Sequence, residues 1–163
     1  MDEDGFYIYT RRLPHWRLAG SIYFITWRLH PSQPDLLPEE RGIVASAMEH
    51  FDGKRYSLEA YVVMPNHVHV LVEPFANYEL QDIMHSWKSF SANILQRKFG
   101  RRGCVWQDEY FDRIVRDEKE FLEKAEYILI NPFKAFPEIE EYKWVRVKGD
   151  EEAGTEARPT DRD

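Results

Sequence analysis

Tyr61-Val62-Val63-Met64-Pro65-Asn66-His67-Val68-His69-Val70-Leu71-Val72-Glu73-Pro74, residues 61–74, is the stretch whose reading decides the fold. It reads as two apolar β-strands joined by a tight turn at Met64-Pro65-Asn66. Strand side chains alternate between faces, so His67 and His69 project side by side while Val68, Val70 and Val72 point the other way. Two adjacent neutral imidazoles are donors for a divalent cation. The chain has six histidines, enough to produce such a pair by chance in a modest minority of sequences. The pair therefore takes its meaning from what else the chain supplies.

Working outward, Ile22–Leu29 (IYFITWRL) is rich in β-branched and aromatic residues and predicts a first strand. A loop punctuated by prolines follows. Pro38, a favoured first helical residue, with Glu39 and Glu40 in the first turn, predicts a helix. Its buried stripe is Ile43, Val44, Ala47, Met48 and Phe51, and Gly53 is a stop. Strand two is expected at about Ser57–Met64 and strand three at about His67–Glu73. A second helix is expected from about Glu79 to Phe99, with a core stripe of Leu80, Ile83, Met84, Trp87, Phe90 and Ile94. Residues 105–115 predict an extended segment or fourth strand. Asp117 with Glu120 forms a capping-box-like start to a third helix. Its apolar stripe is Phe121, Leu122, Ala125, Ile128 and Leu129, and Asn131-Pro132 is expected to disturb or end it.

The order β-α-β-β-α-β is the ferredoxin-like, split-βαβ arrangement of an α+β fold. It predicts a four-stranded antiparallel sheet with two helices on one face and strand three in a central place. An additional C-terminal helix follows. One domain is expected over residues 1–148, and residues 149–163 are expected to be an acidic, disordered tail.

The composition, 43% hydrophobic and 15% aromatic over 163 residues, suits one domain with a real core. A single cysteine, Cys104, excludes an intramolecular disulfide framework and fits a reducing cytoplasm. No apolar run is long enough to span a bilayer, and the acidic N-terminus is unlike a secretory signal. The net charge of −7 argues at first sight against a nucleic-acid partner. The distribution softens this. Asp150, Glu151, Glu152, Glu156, Asp161 and Asp163 concentrate acid at the C-terminus, and residues 83–107 contain none. That stretch holds Lys88, Arg97, Lys98, Arg101 and Arg102, with Trp87, Phe90, Phe99 and Trp106 interleaved. A solvated face is the default reading of scattered charge. A run of one sign mixed with aromatics leans toward a phosphate-tracking surface, with Arg113 and Arg116 as further candidates.

Helix three also places Lys124, Tyr127, Asn131 and Lys134 at spacings of three and four, on one polar face. Tyr127 offers a hydroxyl, Asn131 a neutral ligand, and the lysines attraction for an anion. The bland alternative is an amphipathic tyrosine and a helix-ending asparagine. Together with the histidine pair, the parts imply a cation that polarises a phosphodiester and a tyrosine that attacks it.

YVVMPNHVHVLV, WQDEYFDRIVRD and EYILINPFKAF, in that order, resemble the single-tyrosine HUH transposases, and within them the REP-associated tyrosine transposases. The resemblance covers about residues 10–136. It implies His67 and His69 as metal ligands, Asn131 as the third, and Mg²⁺ or Mn²⁺ as the cation. It implies Tyr127 as the nucleophile, forming a 5′-phosphotyrosine link and freeing a 3′-OH on single-stranded DNA beside a REP-like hairpin. The protein would act as a monomer or homodimer. Insertion-sequence members often have glutamine where this chain has Asn131, and many relatives are strongly basic where this one is not. Tyr110, in its Y-F-D context, is a weaker nucleophile candidate. Two other readings compete: a non-catalytic single-stranded nucleic-acid-binding module on the same fold, and a phosphodiesterase using water.

Overall fold

The computed structural model describes Pro14, Trp16 and residues 20–149. The acidic tail after Gly149, His15, and the arginines at 11, 12 and 17 lie outside the described residues. Five strands form one antiparallel sheet: β1 (Ile22–Leu29), β2 (Tyr56–Val63), β3 (His67–Pro74), β4 (Trp106–Val115) and β5 (Val145–Val147), in the order β4-β1-β3-β2-β5. Among the described residues three helices accompany them: α1 (Pro38–Glu49), α2 (Leu80–Phe99) and α3 (Glu118–Ala135). The four expected strands carry the ferredoxin-like order, with β3 between β1 and β2. The fifth was not anticipated. Its three residues are too short to show alternation, and only pairing with Ala60, Tyr61 and Val62 makes them a strand.

The sheet is covered on both faces, and the alternation of β1 and β3 decides which residues go where. On one face Ile25, Trp27, Val68, Val70 and Val72 pack with Val44 and Met48 of α1 and Ile83, Met84 and Trp87 of α2. Two of the indoles there are satisfied through hydroxyls, while the buried Trp27 Nε1 has no hydrogen-bond partner among the described residues. Trp87 Nε1 donates to Tyr56 Oη at 2.9 Å, which donates to Met48 O, and Trp106 Nε1 donates to Ser91 Oγ at 3.0 Å. On the other face Phe24, Val62 and Leu71 meet Phe121, Ala125, Ile128 and Leu129 of α3. Helix α3 is thus a third layer, on the same side as His67 and His69.

Local chemistry sets the helix ends. Gly100, at φ 72°, caps α2 in the left-handed region that glycine adopts without strain. The Asp117 side chain accepts from the Glu120 backbone N–H at 2.8 Å and starts α3. Pro132 does not end α3, which continues to Ala135 with Phe136 N donating to Pro132 O at 2.8 Å. The missing N–H falls in the last turn, where only one intrahelical bond is lost, and Pro132 itself is buried.

Candidate active site

Strand β3 opens with His67, and its pairing with β1 builds the floor of a cleft. Arg28 lies across from His67 and Thr26 across from His69, so Phe24, Thr26 and Arg28 share the face of the imidazoles. The two rings stand 4.8 Å apart, centroid to centroid. Asn66 Oδ1 lies 2.7 Å from His67 Nδ1. An amide oxygen only accepts, so His67 carries its proton on Nδ1 and its lone pair on Nε2. Thr26 Oγ1 lies 2.7 Å from His69 Nδ1, so Nε2 is the ring nitrogen of His69 left open to a ligand. Partners of this kind orient metal-binding imidazoles. Burial lowers His67 to a pKa of about 4, helped by the Arg28 charge. Burial, then His67, Arg28 and Lys124, lowers His69 to about 3. Both rings are neutral at physiological pH, the form that ligates metals.

Helix α3 lays its apolar stripe on the sheet and carries Lys124 and Tyr127 to the cleft. The Tyr127 ring stands edge-on to His69, centroids 5.1 Å apart, and 6.1 Å from Phe24, which itself stacks on His69. The Lys124 ammonium lies 4.8 Å over the Phe24 ring. Tyr127 is 43% exposed, so its phenol is accessible. The cleft, about 640 Å³, is lined by Arg28, Thr26, His69, Phe111, Lys124 and Tyr127 among others. Tyrosine and imidazole meet within one chain. Asn131 is half-buried on α3, four residues and so one turn beyond Tyr127, about 6 Å along the axis.

Among the described residues no group of three His, Cys, Asp or Glu could hold a metal ion. A cation here would need the imidazole pair completed by oxygen donors, such as those of a phosphate. Two neutral, pre-oriented imidazoles fit such an ion, and their nitrogen chemistry suits Mn²⁺ better than Mg²⁺.

The cations of residues 83–116 divide into those bound within the fold and those left exposed. Arg101 is a structural residue: its guanidinium bonds both Glu40 oxygens, at 2.6 and 2.8 Å, and also meets Gln33 Oε1, Pro34 O and Asp35 O. Its side chain is 6% exposed, so it has no donors left for a phosphate. Lys88 donates to the carbonyls of Gln107 and Asp108 and ties α2 to β4. Arg97, Lys98 and Arg102 are exposed, but they belong to the α2 side, across the sheet from the imidazoles. Arg113 is paired with Glu120, and Arg116 is exposed. Tyr110 packs against the α1/α2 core, with Lys88 near its ring. Among the other histidines, His30 pairs with Ser32 and His50 stacks on Phe90.

Arg28, Thr26, Glu109 and Phe111 were missed as site residues. Period-two alternation along β1 and β4 was the available signal, but it became useful only once the register with β3 was known. Among the described residues no helix is long and apolar enough to cross a membrane.

Residues 40–129 match the family model described as "Transposase IS200 like", more than half of the chain. A provisionally named REP-associated tyrosine transposase from Haemophilus influenzae is 25% identical over 130 residues, covering 71% of this chain and 72% of that one. The REP-associated tyrosine transposase of Escherichia coli K12 is 24% identical over 119 residues, covering 72% of this chain and 69% of that one. The solved structure of a REP-associated tyrosine transposase bound to a REP hairpin aligns with a TM-score of 0.60 at 22% identity, over 75% of this chain and 72% of that one. That likeness concerns the fold. With the family model spanning β2, the histidine strand and α3 as far as Leu129, this chain belongs to the IS200-like transposases, a family of DNA-processing enzymes, and is similar to its REP-associated branch.

Proposed function

We propose that this protein cleaves and rejoins single-stranded DNA next to a hairpin through a covalent link to Tyr127. The observation that carries the reading is the placement of the Tyr127 ring 5.1 Å from His69 in an open cleft of one chain. A water-using phosphodiesterase has no need of a tyrosine there. The similarity to a transposase solved with a REP hairpin supports a hairpin-bearing substrate.

In this reading His67, His69 and Asn131 would hold Mg²⁺ or Mn²⁺, which would supply Lewis-acid polarisation of the phosphodiester. Arg28 and Lys124 attract the scissile phosphate and orient it. Tyr127 Oη attacks phosphorus, forming the phosphotyrosine bond as the P–O3′ bond breaks. The proton lost by the phenol is balanced by the one the 3′-oxygen gains. The bond energy is conserved in the 5′-phosphotyrosine, so a 3′-OH can reverse the step and rejoin a strand without a nucleotide cofactor. Asn66 holds His67 in its ligating tautomer, and Thr26 holds the His69 ring in place.

The test is incubation with hairpin-flanked single-stranded DNA and Mn²⁺, followed by a denaturing gel. A DNA-linked protein band from the native chain, absent in Tyr127→Phe, is the expected result. Hairpin binding with no adduct would favour a non-catalytic binding module. Cleavage without an adduct would favour hydrolysis by water.

A further inference from the structure

We propose that the β4 wall of the cleft is a seat for one unpaired nucleobase, with Phe111 as its stacking platform and Glu109 accepting a hydrogen bond from an exocyclic amine. This rests on reading the cleft as a single-stranded DNA site.

Phe111 is 57% exposed in the middle of a strand. It faces the α3 side, paired across from Thr26, and lines the same cleft as Tyr127. Its neighbour Tyr110 points the other way and joins the core packing. Phe111 joins neither core cluster. An aromatic ring left open beside a nucleophile, in a cleft holding Arg28 and Lys124, combines the two elements of single-strand recognition: cations for the backbone and a π-face for a base.

Glu109 shares the face of Phe111, two residues and so about 7 Å along the strand. It lines the same cleft, and among the described residues it forms no ion pair. A carboxylate repels backbone phosphate, so its productive partner here is an uncharged donor. The amino group of cytosine is such a donor, and glutamate accepting from cytosine N4 is an established pairing. Thymine presents only N3–H, set between two carbonyl oxygens that repel a carboxylate. The seat should therefore prefer an amine-bearing base to thymine beside the scissile phosphate.

The test uses the full chain carrying Tyr127→Phe, so that bound DNA stays intact. Fluorescence anisotropy measures the affinity for short oligo-dC and oligo-dT. Oligo-dC is expected to bind more tightly. Phe111→Leu should weaken binding about tenfold while Phe111→Trp retains it, as expected for a lost stack. Glu109→Gln should narrow the gap between dC and dT. Unchanged affinity in Phe111→Leu, or loss of its fold by circular dichroism, would overturn the platform. A dC preference untouched by Glu109→Gln would overturn the amine contact. Adduct formation by the Tyr127 chain, run in parallel, separates the two ideas. Adducts with an inert Phe111 would sink only the seat. A Phe111-dependent affinity with no adducts would sink only the strand transfer.

Discussion

On the α1/α2 side of the sheet Arg101 is enclosed by Glu40 and the carbonyls of Pro34 and Asp35. On the α3 side Arg28 and Lys124 stand in an open cleft beside two neutral imidazoles and an exposed tyrosine. Both regions contain cations near aromatic rings, and composition does not separate them. What separates them is the supply of partners. The acidic N-terminus of α1 and the free carbonyls of its preceding loop take up every donor of Arg101. The cleft cations have no such ring of acceptors, so they are available to an anion. A cation's role follows from what faces it, not from the local density of Lys and Arg.

The strongest way to break this contrast is at the tyrosine. Tyr127→Phe should lower adduct formation by about 10³-fold or more, as expected for loss of a nucleophile, while far-UV circular dichroism stays unchanged because the ring is half exposed. Adducts at the native rate would move the chemistry elsewhere.

Arg101→Met should do the reverse, costing about 3–5 kcal/mol of stability by leaving Glu40 buried without its partner, measured by urea unfolding. Burial pushes the Glu40 carboxyl up, but its bonds to Arg101 and to the Leu37 N–H outweigh this and hold it below its ordinary 4.5. Its contribution is thus present above about pH 4.5 and lost as the pH falls through the lower folded-state pKa. The native chain should lose that stability only on acidification below that point, and Arg101→Met should lack it already at neutral pH.

Thr26→Val keeps the shape of the strand but removes the hydroxyl on His69 Nδ1. A 10–100-fold loss of Mn²⁺-dependent cleavage is expected, the usual effect of removing a ligand's supporting hydrogen bond. An unchanged metal titration would show that the hydroxyl does not orient the ring. Lys124→Ala should leave the melting temperature unaltered and reduce the salt dependence of single-strand binding by about 0.7 in log–log slope, one phosphate contact. Arg101→Met, where it remains folded, should leave that slope alone. The smallest effect belongs to Arg113→Ala. Its pair with Glu120 is 44% exposed on the arginine side, so a loss of about 0.2–1 kcal/mol is expected by thermal denaturation.

Much of the fold was legible in the chain. Local signals act within a few residues: the alternation of β1 and β3, Pro38 opening α1, Gly100 closing α2, and Asp117 with Glu120 capping α3. Each appears near its expected boundary, and the His67/His69 pair follows from alternation alone. Pro132 falls three residues before the end of α3, and a proline's cost depends on where in a helix it falls and on whether its surroundings bury it. The short β5 strand exists only through its pairing with β2.

By itself, the sequence determined the four longer strands and the helices, the shared face of the two histidines, and the spacing of Tyr127 and Asn131, because these depend on backbone geometry and nearest neighbours. Only the tertiary structure decided that α3 covers the histidine face of the sheet and brings Tyr127 to His69. It alone decided that Arg101 is consumed by Glu40 while Arg28, Glu109 and Phe111 enter the cleft. The physical reason is that these facts depend on strand register and on layers meeting across tens of residues, and no local signal carries either.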